Sequence, residues 1–350
     1  MTADLPAPPP PPRRVLIIKP SALGDVVTAV PVMRGLRRAY PDVHISWMLS
    51  NSCAPLLAED ADLDEVVHFD RRRLGRAWRS PAAAKALLGL LADLRRGGYD
   101  WVIDLQGLFR SGFFARACGA RLRAGFADAR EGAWLFYTHR HRPAEPHTVD
   151  RNLAVARALG VEAGREDMTL SVTEEGRRFA RAFGEQRGPA GGDYLVLVPP
   201  TRWVTKCYPV RHWRAVTKTL AARMRVAVIG TSADRALCER VAEAGGRAAA
   251  NLAGRTTIGE MIGLIASAAA VVCSDSAAKF IAAAVGTDAV TLIGPTRVER
   301  TGPVLGGRAI VADVPCGGCL RRRCEHITCM QTIRPEAVVE AVQQSLAEHR

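Results

Sequence analysis

Short apolar runs alternating with helix-period stretches constrain this chain more than any other feature. In the first half the runs are residues 15–18, 44–49, 66–69 and 101–105; helical stretches lie between, such as 82–96 with its Leu87, Leu88, Leu91, Leu94 stripe. The second half restarts at 194–198 and continues through 225–229, 270–273, 289–293 and 309–312. Between these lie helical patterns at 210–222, 235–244, 257–268 and 277–285. Strands alternating with helices build parallel sheets from right-handed crossovers. The restart predicts an α/β protein of two doubly wound domains facing each other across a cleft, at 15–183 and 194–350. The second ends in a helix over 335–349, placed either on its own domain or back on the first. Residues 184–193, Gly-rich and charged, read as a linker; residues 1–14, with unbroken prolines at 8–12, read as a disordered tail. At 350 residues the chain is too long for one ordinary core and suits two.

Composition narrows the function classes. No apolar run approaches the roughly 20 residues that span a bilayer, and the N-terminus has neither a basic start nor an apolar segment of signal type. Nine cysteines, an odd number, argue against a disulfide framework and for a reducing cytoplasm. The net charge of +13 has two readings, a solvated arginine-rich surface or attraction to a polyanion. It is partly clustered: Arg71, Arg72, Arg73, Arg76 and Arg79 surround Trp78. That cluster motivates an expectation of peripheral contact with an anionic membrane leaflet.

Two loop regions carry the candidate chemistry. After the first run, Lys19-Pro-Ser-Ala-Leu-Gly-Asp25 turns into a helix, and backbone N–H groups and the helix dipole converge at such a turn. Asp25 sits there either as a helix cap or as a reacting carboxylate. After 194–198, Thr201-Arg-Trp-Val-Thr-Lys206 offers hydroxyls and cations suited to a diphosphate. Ser274-Asp-Ser276 then opens an Ala-rich helix, and Gly294-Pro-Thr296 follows the next run as an adjacent wall. No G-x-G-x-x-G dinucleotide fingerprint follows a strand.

These motifs, with Tyr99-Asp-Trp-Val-Ile-Asp-Leu-Gln-Gly-Leu108 and Asn251-Leu-Ala-Gly-Arg-Thr256, resemble in order and spacing those of the lipopolysaccharide heptosyltransferases, glycosyltransferase family 9. The likeness runs from residue 15 to residue 342. It implies two facing Rossmann-like domains of the GT-B type. It implies inverting transfer of a sugar, heptose from ADP-heptose before other sugar nucleotides, onto an acidic glycolipid such as the lipopolysaccharide inner core. Asp25 matches the catalytic base, kept ionised by arginines and the helix dipole. Lys206 matches the lysine on the donor diphosphate, with Thr201 and Thr205 beside it. Asp275 and Ser276 match the donor-binding turn, Asp275 toward the sugar hydroxyls, and Thr296 lines the same side. Arg71, Arg72, Arg73 and Arg76 match a basic segment for the acidic acceptor; Ser21, Gln106, Arg110 and Arg130 fall on the acceptor side. No cofactor is implied for catalysis, and a cytoplasmic monomer is expected. The chain departs from the family at Ala277, where Gly is usual, and at Phe280, where His is usual. Lys279 is the candidate replacement for that lost donor.

Cys316-x2-Cys319-x4-Cys324-x4-Cys329 has the spacing of four thiolates around a structural Zn²⁺, with packed thiols or a labile disulfide as the alternatives. His139, His141 and His147 fall in a stretch read as loop. Two other function classes stay in view. A nucleic-acid module draws on the charge and the knuckle-like cysteines, but aromatics are only 6%. A sugar-nucleotide binder without turnover draws on Ala277 and Phe280.

Overall fold

The β-branched runs become strands buried on both faces, as parallel sheets require. A computed structural model describes residues 9–185 and 193–348. The chain divides into two units, Met1–Met168 and Thr169–Arg350. The first holds β1 (Arg14–Ile18), β2 (His44–Ser50), β3 (Glu65–Phe69), β4 (Trp101–Asp104), β5 (Leu122–Phe126) and β6 (His139–His141). All pair in parallel in the order β3-β2-β1-β4-β5-β6. The second holds β7 (Tyr194–Val198), β8 (Arg225–Val228), β9 (Ala249–Asn251), β10 (Ala270–Ser274), β11 (Ala289–Ile293) and β12 (Arg308–Val311). Its order, β12-β11-β10-β7-β8-β9, is the same winding. Each unit is therefore a doubly wound α/β sheet, as expected.

The expected strands recur within one residue at each end. Three strands were unread in the sequence: β5, β6 and β9. Their residues (Leu-Arg-Ala-Gly-Phe, His-Arg-His, Ala-Ala-Asn) have little strand propensity of their own. Each forms because an already ordered neighbour offers a free ladder edge. His139 and His141 thus sit on an edge strand rather than a loop.

The division between units falls before the expected boundary at 183. Leu170 N donates to Ala284 O at 2.9 Å, and the helix Glu174–Glu185 packs on the helix Ile258–Ala266 of the second unit. Glycines make that crossing close. A methyl on Gly263 would lie 2.2 Å from the carbonyl oxygen of Gly176, and one on Gly176 would lie 2.4 Å from that of Gly259. Neither obstacle is a movable side chain. The remainder of the expected linker, residues 186–192, and residues 1–8 of the expected tail lie outside the described residues.

The last helix, Pro335–Glu348, packs on the helix Val210–Ala221 and on β10 to β12, which closes the second unit rather than reaching back. Trp213, Val338 and Val342 are buried in that core. In the first unit Trp47 and Trp101 are buried, and Tyr40 meets Trp101 edge-on at 5.7 Å.

Gly263→Ala is expected to lower stability by about 1–3 kcal/mol, because the helix pair must separate to admit the methyl. Urea denaturation checks it, and an unchanged midpoint counts against the close crossing.

Candidate functional site

Both sheets reverse strand order beside their first strand, between β1 and β4 and between β7 and β10. Ligands of open α/β sheets bind off the carboxyl ends of the strands at such a reversal. The candidate residues fall at these two places, and each is built by its own unit.

In the first unit Lys19 leaves the end of β1 and crosses to β4, where its Nζ donates to Leu105 O. Lys19 is 7% exposed. Burial lowers its pKa, while Asp25 and Asp104 act in the opposite direction. Asp104 is fully buried and accepts from Tyr137 Oη at 2.6 Å and from the backbone N–H of Gln106 and Gly107 at 2.9 and 3.2 Å. Burial raises its pKa against those hydrogen bonds. Asp25 stands in the first turn of the short helix Leu23–Val27, and its Oδ2 accepts from Ala22 N at 3.0 Å. It is thus a cap, and the residue is exposed. Ser21 lies in the same turn, half-buried.

The other acceptor-side candidates also leave strand ends on this edge of the sheet. Gln106 follows β4, and its Oε1 is buried without a hydrogen-bond partner. Arg130 follows β5, and its backbone N donates to Gly107 O at 3.0 Å, which holds it beside Gln106. Arg110 is exposed, with its guanidinium 6.0 Å from the ring of Phe69. After β3 the short helix Arg71–Leu74 is capped by Asp70, which accepts from Arg73 N at 3.0 Å. Arg72, Arg73 and Arg76 line one cavity of about 360 Å³ with Asp70 and Ser80; Arg71 is exposed outside it.

In the second unit Lys206 crosses from the loop after β7 to the end of β10. Its Nζ lies 2.8 Å from Asp275 Oδ2 and 3.2 Å from Asp275 O. It also stands 4.5 Å from the centre of the Trp203 ring, and Arg322 stacks at 4.8 Å on the same indole. Asp275 accepts from Lys279 Nζ through Oδ1, and Thr301 Oγ1 lies 3.3 Å from Oδ2. Burial acts to raise the Asp275 pKa, but the two ammoniums outweigh it and hold the carboxyl well below its usual range. The Lys279 pKa is lowered too, because there burial outweighs the attraction of Asp275. Ser276 stands at the N-cap position of the helix Ala277–Ala284, where among the described residues its hydroxyl makes no capping hydrogen bond. Among the described residues the hydroxyls of Ser274, at the end of β10, and Thr296, in the loop after β11, are buried without partners. A helix N-terminus beside a partly exposed ammonium suits an anionic oxygen-rich ligand.

Several expectations change. Thr205 is 2% exposed and donates to Arg321 O at 2.8 Å, so it ties the cysteine-rich segment to this loop instead of facing a phosphate. The Thr201 hydroxyl donates to Trp203 O at 2.7 Å and shapes the turn. Asp275 has a side chain only 4% exposed and holds three donors, which removes it from simple contact with a sugar. Lys279 is 2% exposed, so it does not replace the missing histidine as a surface donor. The four cysteines share one segment, where Cys316, Cys319 and Cys324 add to the burial that raises the Cys329 pKa. Among the described residues no three His, Cys, Asp or Glu side chains are grouped to hold a metal ion. Cys316 and Cys319 are exposed, whereas Cys329 is buried beneath Gly294, whose added methyl would lie 2.9 Å from its Sγ.

Lys19, Asp104, Ser274 and Thr301 were missed. Lys19 reads as the break after an apolar run, and the clue was its position as the first charge after the buried residues 15–18.

Two doubly wound units, each with a lysine crossing at its strand reversal, have the α/β fold of the GT-B class. A sequence model of glycosyltransferase family 9 (heptosyltransferase) matches residues 88–328. Lipopolysaccharide heptosyltransferase 1 of Pseudomonas aeruginosa is 31% identical over 89% of this chain and 88% of its own length. The chain belongs to glycosyltransferase family 9, and it is a glycosyltransferase. Among solved structures, E. coli ADP-heptose lps heptosyltransferase II superposes with a TM-score of 0.77 at 23% identity, covering 96% of this chain and 99% of that one. E. coli heptosyltransferase WaaC with ADP-2-deoxy-2-fluoro heptose gives 0.74 at 25% identity, covering 96% and 100%.

Asp275→Ala leaves the sealed Lys279 ammonium without its carboxylate and is expected to cost about 3–5 kcal/mol near neutral pH. Because the native carboxyl titrates below its unfolded value, its contribution is full above about pH 4 and fades as pH falls further. The deficit of the variant in urea denaturation should therefore shrink on acidification; a pH-independent deficit contradicts this assignment.

Proposed function

We propose that this glycosyltransferase moves heptose from ADP-heptose onto an acidic glycolipid acceptor of the lipopolysaccharide inner core, with inversion at the anomeric carbon. The observation that carries the reading is the Lys206–Asp275 pair at the β7/β10 reversal, beside the N-terminus of the helix Ala277–Ala284. The names of the relatives, which include an ADP-heptose analogue bound to WaaC, favour heptose over other sugars.

In this mechanism the acceptor hydroxyl attacks the anomeric carbon opposite the diphosphate. The carbon–oxygen bond to ADP breaks, and ADP leaves with the electron pair. Asp25 takes the hydroxyl proton on the oxygen that its own cap bond leaves open. Lys206 and the N-terminus of the helix Ala277–Ala284 meet the charge that develops on the departing diphosphate. No cofactor is assigned to the step. Arg72, Arg73 and Arg76, converging on one cavity, receive acidic groups of the acceptor.

The same face supports peripheral contact with an anionic leaflet. Trp78 is 74% exposed beside these arginines, with Arg79 stacked on it at 3.8 Å. Aromatic rings next to cations suit the headgroup layer. Among the described residues no helix is long and apolar enough to cross a membrane.

Asp25→Ala is expected to lower transfer at least a hundredfold while ADP affinity is retained; Lys206→Ala should weaken both. Transfer assays and calorimetric titration with ADP measure the two, and an Asp25→Ala enzyme of undiminished rate sinks the base assignment. Replacing Arg72, Arg73 and Arg76 by Ala together should reduce co-sedimentation with phosphatidylglycerol vesicles and flatten its salt dependence. Retention equal to the parent protein argues for a different docking face.

A further inference from the structure

Lys279 is a residue whose position stability does not explain. It is the third residue of the helix Ala277–Ala284, in the turn where the helix dipole is repulsive to a cation. Only 2% of it is exposed, so its charge is removed from water. Burying an ion pair gains little over an apolar pair of similar volume. The neighbouring helix residues are Ala278, Phe280 and Ile281, and a ring–ammonium contact of 4.3 Å to Phe280 is a small return for a desolvated charge.

The arrangement around Asp275 points to a different role. Its Oδ1 is held by Lys279, and its Oδ2 is shared by Lys206 at 2.8 Å and Thr301 at 3.3 Å. The Lys206 side chain is 16% exposed and that of Lys279 1%. Two ammoniums on one carboxylate leave one net positive charge, and only the outer one reaches solvent. Without the inner lysine, the Asp275 carboxylate would neutralise Lys206 alone. An uncharged pair attracts a diphosphate far less than an excess cation in a low-dielectric setting.

We infer that Lys279 is a positioning residue: by holding Oδ1 of Asp275 from within the core, it fixes that carboxylate and leaves Lys206 an unneutralised positive charge at the β7/β10 reversal. This rests on the reading of Lys206 as the group that meets the donor diphosphate.

Calorimetric titration with ADP on the full chain tests it, with melting curves confirming that each variant is folded. Lys279→Met should weaken ADP binding about tenfold. The double variant Asp275→Asn/Lys279→Met returns the net charge to that of Lys206 alone and should bind ADP within about threefold of the parent. A purely structural role for Lys279 predicts no such recovery. ADP binding that is lost in Lys206→Ala but unchanged in folded Lys279→Met overturns the inference alone. Parent protein that binds no ADP overturns the donor-site reading and the inference with it. If Lys279→Met does not fold, the double variant decides: affinity near the parent's supports the charge balance, and affinity as low as that of Lys206→Ala refutes it.

Discussion

In each unit a lysine from the loop after the first strand crosses to the backbone that leaves the fourth. Lys19 reaches Leu105 O, and Lys206 reaches the main-chain and side-chain oxygens of Asp275. The strand order reverses at these points, so the crossover helices diverge to opposite sides and no ladder closes the mouth. A charged tether across the gap satisfies backbone oxygens there and places an ammonium where an anion would enter. The functional loops of both units are arranged around that tether.

The two tethers have different surroundings, which explains why only one unit suits a diphosphate. Lys19 is sealed, and the carboxylate near it, Asp104, is satisfied by Tyr137 and two backbone N–H groups. That site is a rigid floor beneath Asp25. Lys206 is partly open and shares its carboxylate with a second lysine, so its unit holds excess positive charge beside a helix N-terminus. The cysteine-rich segment belongs to this second arrangement. Through Thr205 to Arg321 and Arg322 on Trp203, it braces the loop that carries Lys206.

The winding of both sheets was legible from sequence because strands buried on both faces leave continuous β-branched runs. Legibility failed where a neighbour, not the segment, supplied the reason for structure, as at β6 and β9. It failed also at the unit boundary. The helix Glu174–Glu185 is amphipathic in either unit, and the choice was made by glycines on a helix some 80 residues away, 176 against 259 and 263. Asp25, Lys206, Asp275 and Thr296 were singled out by their place after buried strands, and Gln106 by the family resemblance.

Their roles were another matter. The sequence by itself determined two parallel sheets and which loops leave their carboxyl ends, since periodicity and punctuation act over a few residues. The tertiary structure alone decided which polar atoms remain free. Thr205 and Lys279 were read as ligand-facing from their neighbours in the chain, yet partners distant in the chain or sealed by packing claim them. A hydrogen bond is made once, and desolvation depends on everything packed around a group, so neither can be read from local order alone.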